Sequence, residues 1–258
     1  MSKVLVRVYS WENQRLYFSD FDIEKGEKVI VTCENSNELG IAEEVDFDTK
    51  EETTDKILRI ATPRDRETFE KYEKEKENIL EVCKDEAKKL ELPMKVVDAR
   101  IGLDGKHIIF VFTADGRVDF RELVKNLSKS LKRSIRMQQI GSRDEARKLG
   151  GWGMCGRELC CVKFGGNIPS ITTEMARSQQ IAHRGAERIS GICGRLMCCL
   201  AYEAQQYREM MVGMPEIYSV VNTPEGKGTV IEINAPTQEV KVKTEAGEYV
   251  VVKKQDLK

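Results

Sequence analysis

Lys95-Val96-Val97-Asp98-Ala99-Arg100-Ile101, the turn Leu103-Asp104-Gly105, and Lys106-His107-Ile108-Ile109-Phe110-Val111-Phe112-Thr113 read as a β-hairpin. The Asp-Gly pair supplies the tight turn. Upstream, a short strand at Lys56–Ile60 leads into Thr62-Pro63-Arg64-Asp65, a helix start in which Thr62 caps and Pro63 takes the first turn. Phe69, Tyr72, Ile79, Leu80, Cys83, Ala87 and Leu90 then recur at near-helical spacing, and Pro93 follows the stop. Downstream come a second helix over about Asp119–Leu131 and a strand at Ser134–Ile140. The order β-α-β-β-α-β predicts a ferredoxin-like unit over 56–145, a topology that says nothing about iron.

Strand patterns lie on either side. Val4, Val6 and Val8 alternate with other residues, and runs at Leu16–Phe18, Lys28–Thr32 and Ile41–Phe47 predict a small antiparallel β-barrel over 1–55. Past Gly213, runs at Glu216–Val221, Gly228–Ile233, Glu239–Thr244 and Glu248–Lys253 predict a small SH3-like β-barrel over 213–258. Between these units, 146–212 forms a cysteine-rich helical segment, and the whole is α+β. At 258 residues, 40% hydrophobic and 33% charged, the chain can bury more than one core. No apolar run approaches the roughly 20 residues that span a bilayer, and no charged-then-apolar leader opens the chain, so a cytoplasmic protein without membrane insertion is expected.

The segment 146–212 carries one signature twice. Cys155-Gly156-Arg157-Glu158-Leu159-Cys160-Cys161 is repeated as Cys193-Gly194-Arg195-Leu196-Met197-Cys198-Cys199, and each copy is entered through glycine (Gly151 and Gly153; Gly191). Converging thiolates repel one another unless a cation neutralises them, so the pattern points to a soft metal, with Arg157 and Arg195 as fixed positive charges beside anionic sulfur. The gap from Cys155 to Cys160 lies at the edge of the zinc range and matches the wider spacing of some iron–sulfur sites. Zinc and an iron–sulfur cluster both stay open, with Cys155, Cys160, Cys161, Cys193, Cys198 and Cys199 as candidate ligands. Neighbours on a helix point about 100° apart, so the two sulfurs of one pair are not expected to face one metal. The 31-residue insert between Cys161 and Cys193 would let the two copies fold back together. Cys33 and Cys83 fall at apolar positions and read as inert packing thiols, and neither His107 nor His183 is assigned as a ligand.

The doubled motif and the run Ile189-Ser190-Gly191-Ile192-Cys193-Gly194-Arg195-Leu196-Met197-Cys198-Cys199-Leu200-Ala201-Tyr202-Glu203 resemble the bacterial RicT (YaaT) family, regulatory iron–sulfur subunits with a polymerase-suppressor C-terminal region. The likeness runs from about Val4 into the C-terminal β segment and is most specific at 151–203. It implies a non-enzymatic cytoplasmic protein that, in some members, joins small helical partners of the RicA and RicF type to carry 4Fe-4S clusters and direct the endonuclease RNase Y in mRNA processing, with effects on sporulation, competence and biofilm formation.

From Arg121 to Lys148 the chain is basic, with nine lysines and arginines against three acids. Lys125, Lys129, Lys132, Arg133 and Arg136 are the candidates for contact with a partner or with RNA, and no aromatic platform interleaves with them. The net charge of −1 confines any nucleic-acid role to such a local patch. No P-loop, dinucleotide fingerprint, nucleophile elbow or zinc-hydrolase signature is present, so no enzyme is expected. Two rival readings remain: a zinc-stabilised nucleic-acid-binding protein and an iron–sulfur redox protein.

Overall fold

The computed structural model describes residues 2–33, 36–46, 49, 53–164, 168–182 and 185–257. They fall into two compact units, one of 2–152 with 161–164, the other of 153–160 with 168–257.

In the first unit, β1 (Ser2–Arg7), β2 (Arg15–Ser19), β3 (Lys28–Cys33), β4 (Ser36–Val45) and β5 (Ile57–Ile60) form one sheet in the order β2-β1-β4-β3-β5. Alternating residues point inward, and Val4, Val6, Val29 and Val31 are fully buried. At Gly40 a Cβ would fall 2.5 Å from Val6 Cγ1, so β1 and β4 approach as closely as they do because that residue has no side chain. The sheet curls until its edges touch at a single bridge, Phe18 to Lys56, where Phe18 N donates to Asp55 O at 2.9 Å. The result is a curled half-barrel, which agrees with the β character expected for the N-terminal segment.

The strand expected to open a ferredoxin-like unit is β5, and it pairs with β3 in this first sheet. What remains is a three-stranded sheet of β6 (Lys95–Ile101), β7 (His107–Thr113) and β8 (Ser134–Gln139), in the order β6-β7-β8. The hairpin β6–β7 is antiparallel as its Asp-Gly turn predicts, while β7 and β8 run parallel across α2 (Arg121–Leu131). The ferredoxin-like expectation is therefore corrected, because a four-residue strand carries no local signal for which sheet it will join.

β7 explains why its sequence is apolar without interruption. Ile108 and Phe110 enter a core with Ile79 and Cys83 of α1 (Pro63–Lys89) and with Leu123 and Leu127 of α2. Ile109 and Val111, on the opposite face, enter the core that the curled sheet builds from Val4, Val6 and Val31. Residues predicted to lie in separate domains thus share one core, and each buried aliphatic side chain contributes about 1.5–3 kcal/mol.

A helix that the sequence pattern did not announce, α3 (Ser142–Leu149), follows β8. Its basic residues hold it in place. Buried Arg147 donates to the Trp11 carbonyl and to Asn13, and Lys148 reaches Asp98 at 2.8 Å. Nearby, Glu38 is 1% exposed and accepts from Ser36 at 2.9 Å and from Arg100 at 3.3 Å. Burial pushes its carboxyl above the usual range, and Arg100 opposes that shift.

The second unit holds α5 (Thr173–Ser178), α6 (Ala186–Ile189), α7 (Cys199–Met211) and a sheet of β9 (Val220–Thr223), β10 (Gly226–Asn234), β11 (Glu239–Thr244) and β12 (Tyr249–Lys253). The order β12-β11-β10-β9 is an open antiparallel meander. Val230, Val240 and Val242 are its buried side, and a Cβ at Gly228 would collide with Val242 and with the backbone of Lys243. Lys254 Nζ donates to Val212 O at 2.6 Å and Gln238 to Met210 O at 2.8 Å, which ties the sheet to the end of α7. No helix among the described residues is long and apolar enough to cross a membrane.

Candidate metal centre

Both copies of the cysteine signature fold into the same turn. In the first, Gly153 N donates to Arg157 O at 2.8 Å and Gly156 N to Gly153 O at 3.0 Å. In the second, Gly191 N donates to Arg195 O at 2.8 Å and Gly194 N to Gly191 O at 2.9 Å. Gly156 and Gly194 both sit at φ +73°, a left-handed conformation that a side chain would strain. At Gly153 and Gly191 an added Cβ would lie 3.5 Å from Cys155 Sγ and 3.8 Å from Cys193 Sγ. Each first cysteine therefore folds its sulfur back over the glycine two residues before it.

Cys155 and Cys193 occupy the tips of these turns. The helices begin at the paired cysteines: α4 (Cys160–Lys163) opens on Cys160, while α7 opens on Cys199 with Cys198 just outside it. Cys155 is exposed, Cys161 buried, and Cys160, Cys193, Cys198 and Cys199 are half-buried. Five of the six lie in the second unit, whereas Cys161 groups with the first.

Cys160 and Cys199 are close enough to interact electrostatically. Burial raises the Cys199 thiol above its ordinary value, and Glu203 and Cys160 add to the shift, opposed by the N–H groups of Cys199 and Leu200 at the start of α7. Glu203 was not a sequence candidate, although its place one helical turn after Cys199 could have marked it. Gln179 was missed too. It is buried after α5 and donates to Leu200 O at 2.8 Å, fixing the first turn of α7. Arg157 and Arg195 are exposed and form no ion pair among the described residues, which leaves both charges available beside the thiols.

Among the described residues, no group of three or more cysteine, histidine or acidic side chains is gathered closely enough to hold a metal ion. His183 lies outside the described residues, and His107 pairs with Asp104 at 2.6 Å. The donors of the second unit are of the kind a soft metal takes: Cys155 and Cys193 on two matched turns and Cys160, Cys198 and Cys199 at the helix starts that follow, with Cys160 and Cys199 interacting.

The basic stretch is less continuous than its sequence implies. Arg133 makes two hydrogen bonds to Glu75, at 2.7 and 3.3 Å, and lies over the Tyr72 ring. Arg136 belongs to β8 and is not on the face of α2. Lys125, Lys129 and Lys132 are exposed, with Lys132 capping α2 at φ 52°.

One unit in which a half-barrel shares its core with a three-stranded sheet, and a second that carries the cysteine turns and a β meander, define a mixed α+β protein with a thiol-rich segment. Residues 55–140 match the PSP1 C-terminal conserved region, and residues 170–214 match the PSP1-like protein, third domain. The chain is 41% identical over 179 residues to the stage 0 sporulation protein YaaT of Bacillus subtilis (strain 168), covering 69% of this chain and 65% of that protein. It is also 35% identical over 82 residues to an uncharacterised protein of Schizosaccharomyces pombe, covering 32% of this chain and 11% of that one. The chain belongs to the YaaT (RicT) family. No solved structure matches it.

Proposed function

We propose that this protein is a non-enzymatic, cytoplasmic regulatory subunit that holds an iron–sulfur cluster, of the 4Fe-4S type, and directs RNase Y-dependent mRNA processing together with small helical partners of the RicA and RicF kind. A role in sporulation follows from the name of its B. subtilis relative, and roles in competence and biofilm formation from the family resemblance. The observation that carries the reading is the identical hydrogen bonding of the two cysteine turns, at 2.8 and 3.0 Å in one and 2.8 and 2.9 Å in the other. Two unrelated packing cysteines have no reason to share a backbone so closely, whereas two halves of one ligand set do.

Cys155, Cys160, Cys193, Cys198 and Cys199, all in the second unit, would hold the group. When bound, the cluster supplies a redox- and oxygen-sensitive link between the two turns. Arg157 and Arg195 offset the anionic charge of the thiolates, and Gln179 keeps α7 in register with α5.

Protein purified without oxygen is expected to contain iron and acid-labile sulfide in equal amounts and to absorb broadly in the visible. Cys155→Ser and Cys193→Ser should each abolish that absorption. Stoichiometric zinc without sulfide would replace this reading with the zinc-stabilised one. Transcripts that RNase Y cleaves should accumulate uncut in cells lacking the protein, and normal cleavage there would remove the processing role.

A further inference from the structure

At the tip of the β6–β7 hairpin the chain forms a shallow trough against the end of α2, lined by Gly105, Lys106, Ser128, Lys132 and Ser134. Its walls are built rather than incidental. Gly105 sits at φ +68°, and a Cβ there would collide with the Tyr72 hydroxyl, so glycine lets the hairpin tip lie down on α1. Ser134 N donates to Lys106 O at 2.8 Å and joins one wall to the other. The Arg133 guanidinium, held by Glu75 and stacked on the same Tyr72, braces the floor and is not available to a ligand.

What the trough offers outward is positive charge and hydroxyl. Lys106 and Lys132 are exposed and form no ion pair among the described residues, and the same holds for Lys125 and Lys129 along α2. The nearby acids are committed: Asp104 to His107 at 2.6 Å, Glu75 to Arg133 at 2.7 Å. The ring that lines the trough is His107, which is paired with Asp104 at 2.6 Å, and no Phe, Tyr or Trp lines it, so single-strand binding by base stacking has a poor platform here. Lysines with serine hydroxyls suit phosphate and 2′-hydroxyl groups, the features that a double-helical RNA displays without regard to sequence.

We propose that this trough, extended along α2 by Lys125 and Lys129, docks the sugar–phosphate backbone of double-helical RNA. The choice of RNA rests on the RNA-processing reading above. The placement of the site does not, because it follows from unpaired cations on a braced surface. Lys106, remote from α2 in sequence, completes a site that the basic stretch alone does not contain.

The test is binding of the full chain, purified without oxygen, to two RNA duplexes of unrelated sequence and to a DNA duplex of matching length, across a salt series. Lys106→Ala/Lys132→Ala is expected to weaken both RNA duplexes about tenfold at low salt and to reduce the slope of log affinity against log salt by about two. Lys227→Glu/Lys241→Glu, on the C-terminal sheet, should leave binding unchanged. Iron content and thermal midpoint, measured on every variant, should match the parent and so exclude unfolding. Unchanged affinity in the Lys106/Lys132 variant, or no RNA binding by the parent even at low salt, overturns the site while leaving the cluster and the processing role standing. A DNA duplex bound as tightly as RNA, with the same sensitivity to the two lysines, overturns the assignment to RNA.

Discussion

Cys155 and Cys193 hold equivalent places on equivalent turns, yet the first is exposed and the second half-buried, so the two copies are alike in backbone and unlike in surroundings. Reactivity follows the surroundings, because the thiolate is the nucleophile and burial disfavours it. Cys83, at 0% exposure in the α1–α2 core, is pushed by burial up to about 12. Near pH 8 it would then carry only about one part in ten thousand of thiolate. In metal-free, reduced protein, alkylation followed by mass spectrometry should mark Cys155 first. The half-buried Cys160, Cys193, Cys198 and Cys199 should follow, and Cys33, Cys83 and Cys161 should wait for unfolding. Prompt labelling of Cys83 in the folded chain would contradict this packing.

Among the elements, α1 has the most fully specified start. Asp65 N donates to Thr62 Oγ1 at 3.3 Å, Thr62 N donates back to Asp65 Oδ2 at 2.8 Å, and Arg59 Nη2 reaches Asp65 Oδ1 at 3.0 Å. The Arg59 hydrogen bonds, together with those of Thr62, hold the Asp65 carboxyl well below the usual carboxylate range. A depressed pKa means that the contribution is present above the unfolded-state value and is lost as pH falls through the folded-state value. Asp65→Ala should therefore cost about 1 kcal/mol at neutral pH in urea unfolding, with the deficit shrinking below about pH 4. A deficit that is constant down to about pH 2 would assign the effect to packing instead.

The same helix marks how far local reading reaches. Thr62, Pro63 and the Ile79, Cys83, Ala87 stripe were legible because caps and helical period are properties of neighbours in sequence. The sheet that β5 joins, the bracing of α3 by Arg147 and Lys148, and the commitment of Arg133 to Glu75 depend on partners 26 to 136 residues away. The cysteine repeat was legible as a pair of motifs, and the glycines explain its turns. Gly156 and Gly194, both at φ +73°, keep the first cysteine of each copy in a turn, while the paired cysteines open the helices α4 and α7.

Across the whole molecule, stability is unevenly founded. The first unit has a doubly buried central strand and internal ion pairs, and the meander has its own valine core. Between the two turns and α7 the covering is thinner: Leu200 and Ala204 are buried, but Met154 and Ile192 stay 65% and 60% exposed at the turn tips. A segment with few buried contacts relies on its ligand, because binding free energy is there also folding free energy. Removing the proposed cluster with a chelator should thus raise amide exchange in 153–160 and 185–211 by at least about tenfold, while the strands of the sheets change little. The turn amides Gly153 and Gly191, which donate to Arg157 and Arg195, are the probes, since each reports on one copy. If both rise together, the two turns share a single bound group. A rise confined to one would mean that each turn is held independently, and an equal rise throughout the chain would remove the distinction between a ligand-dependent centre and self-supporting sheets.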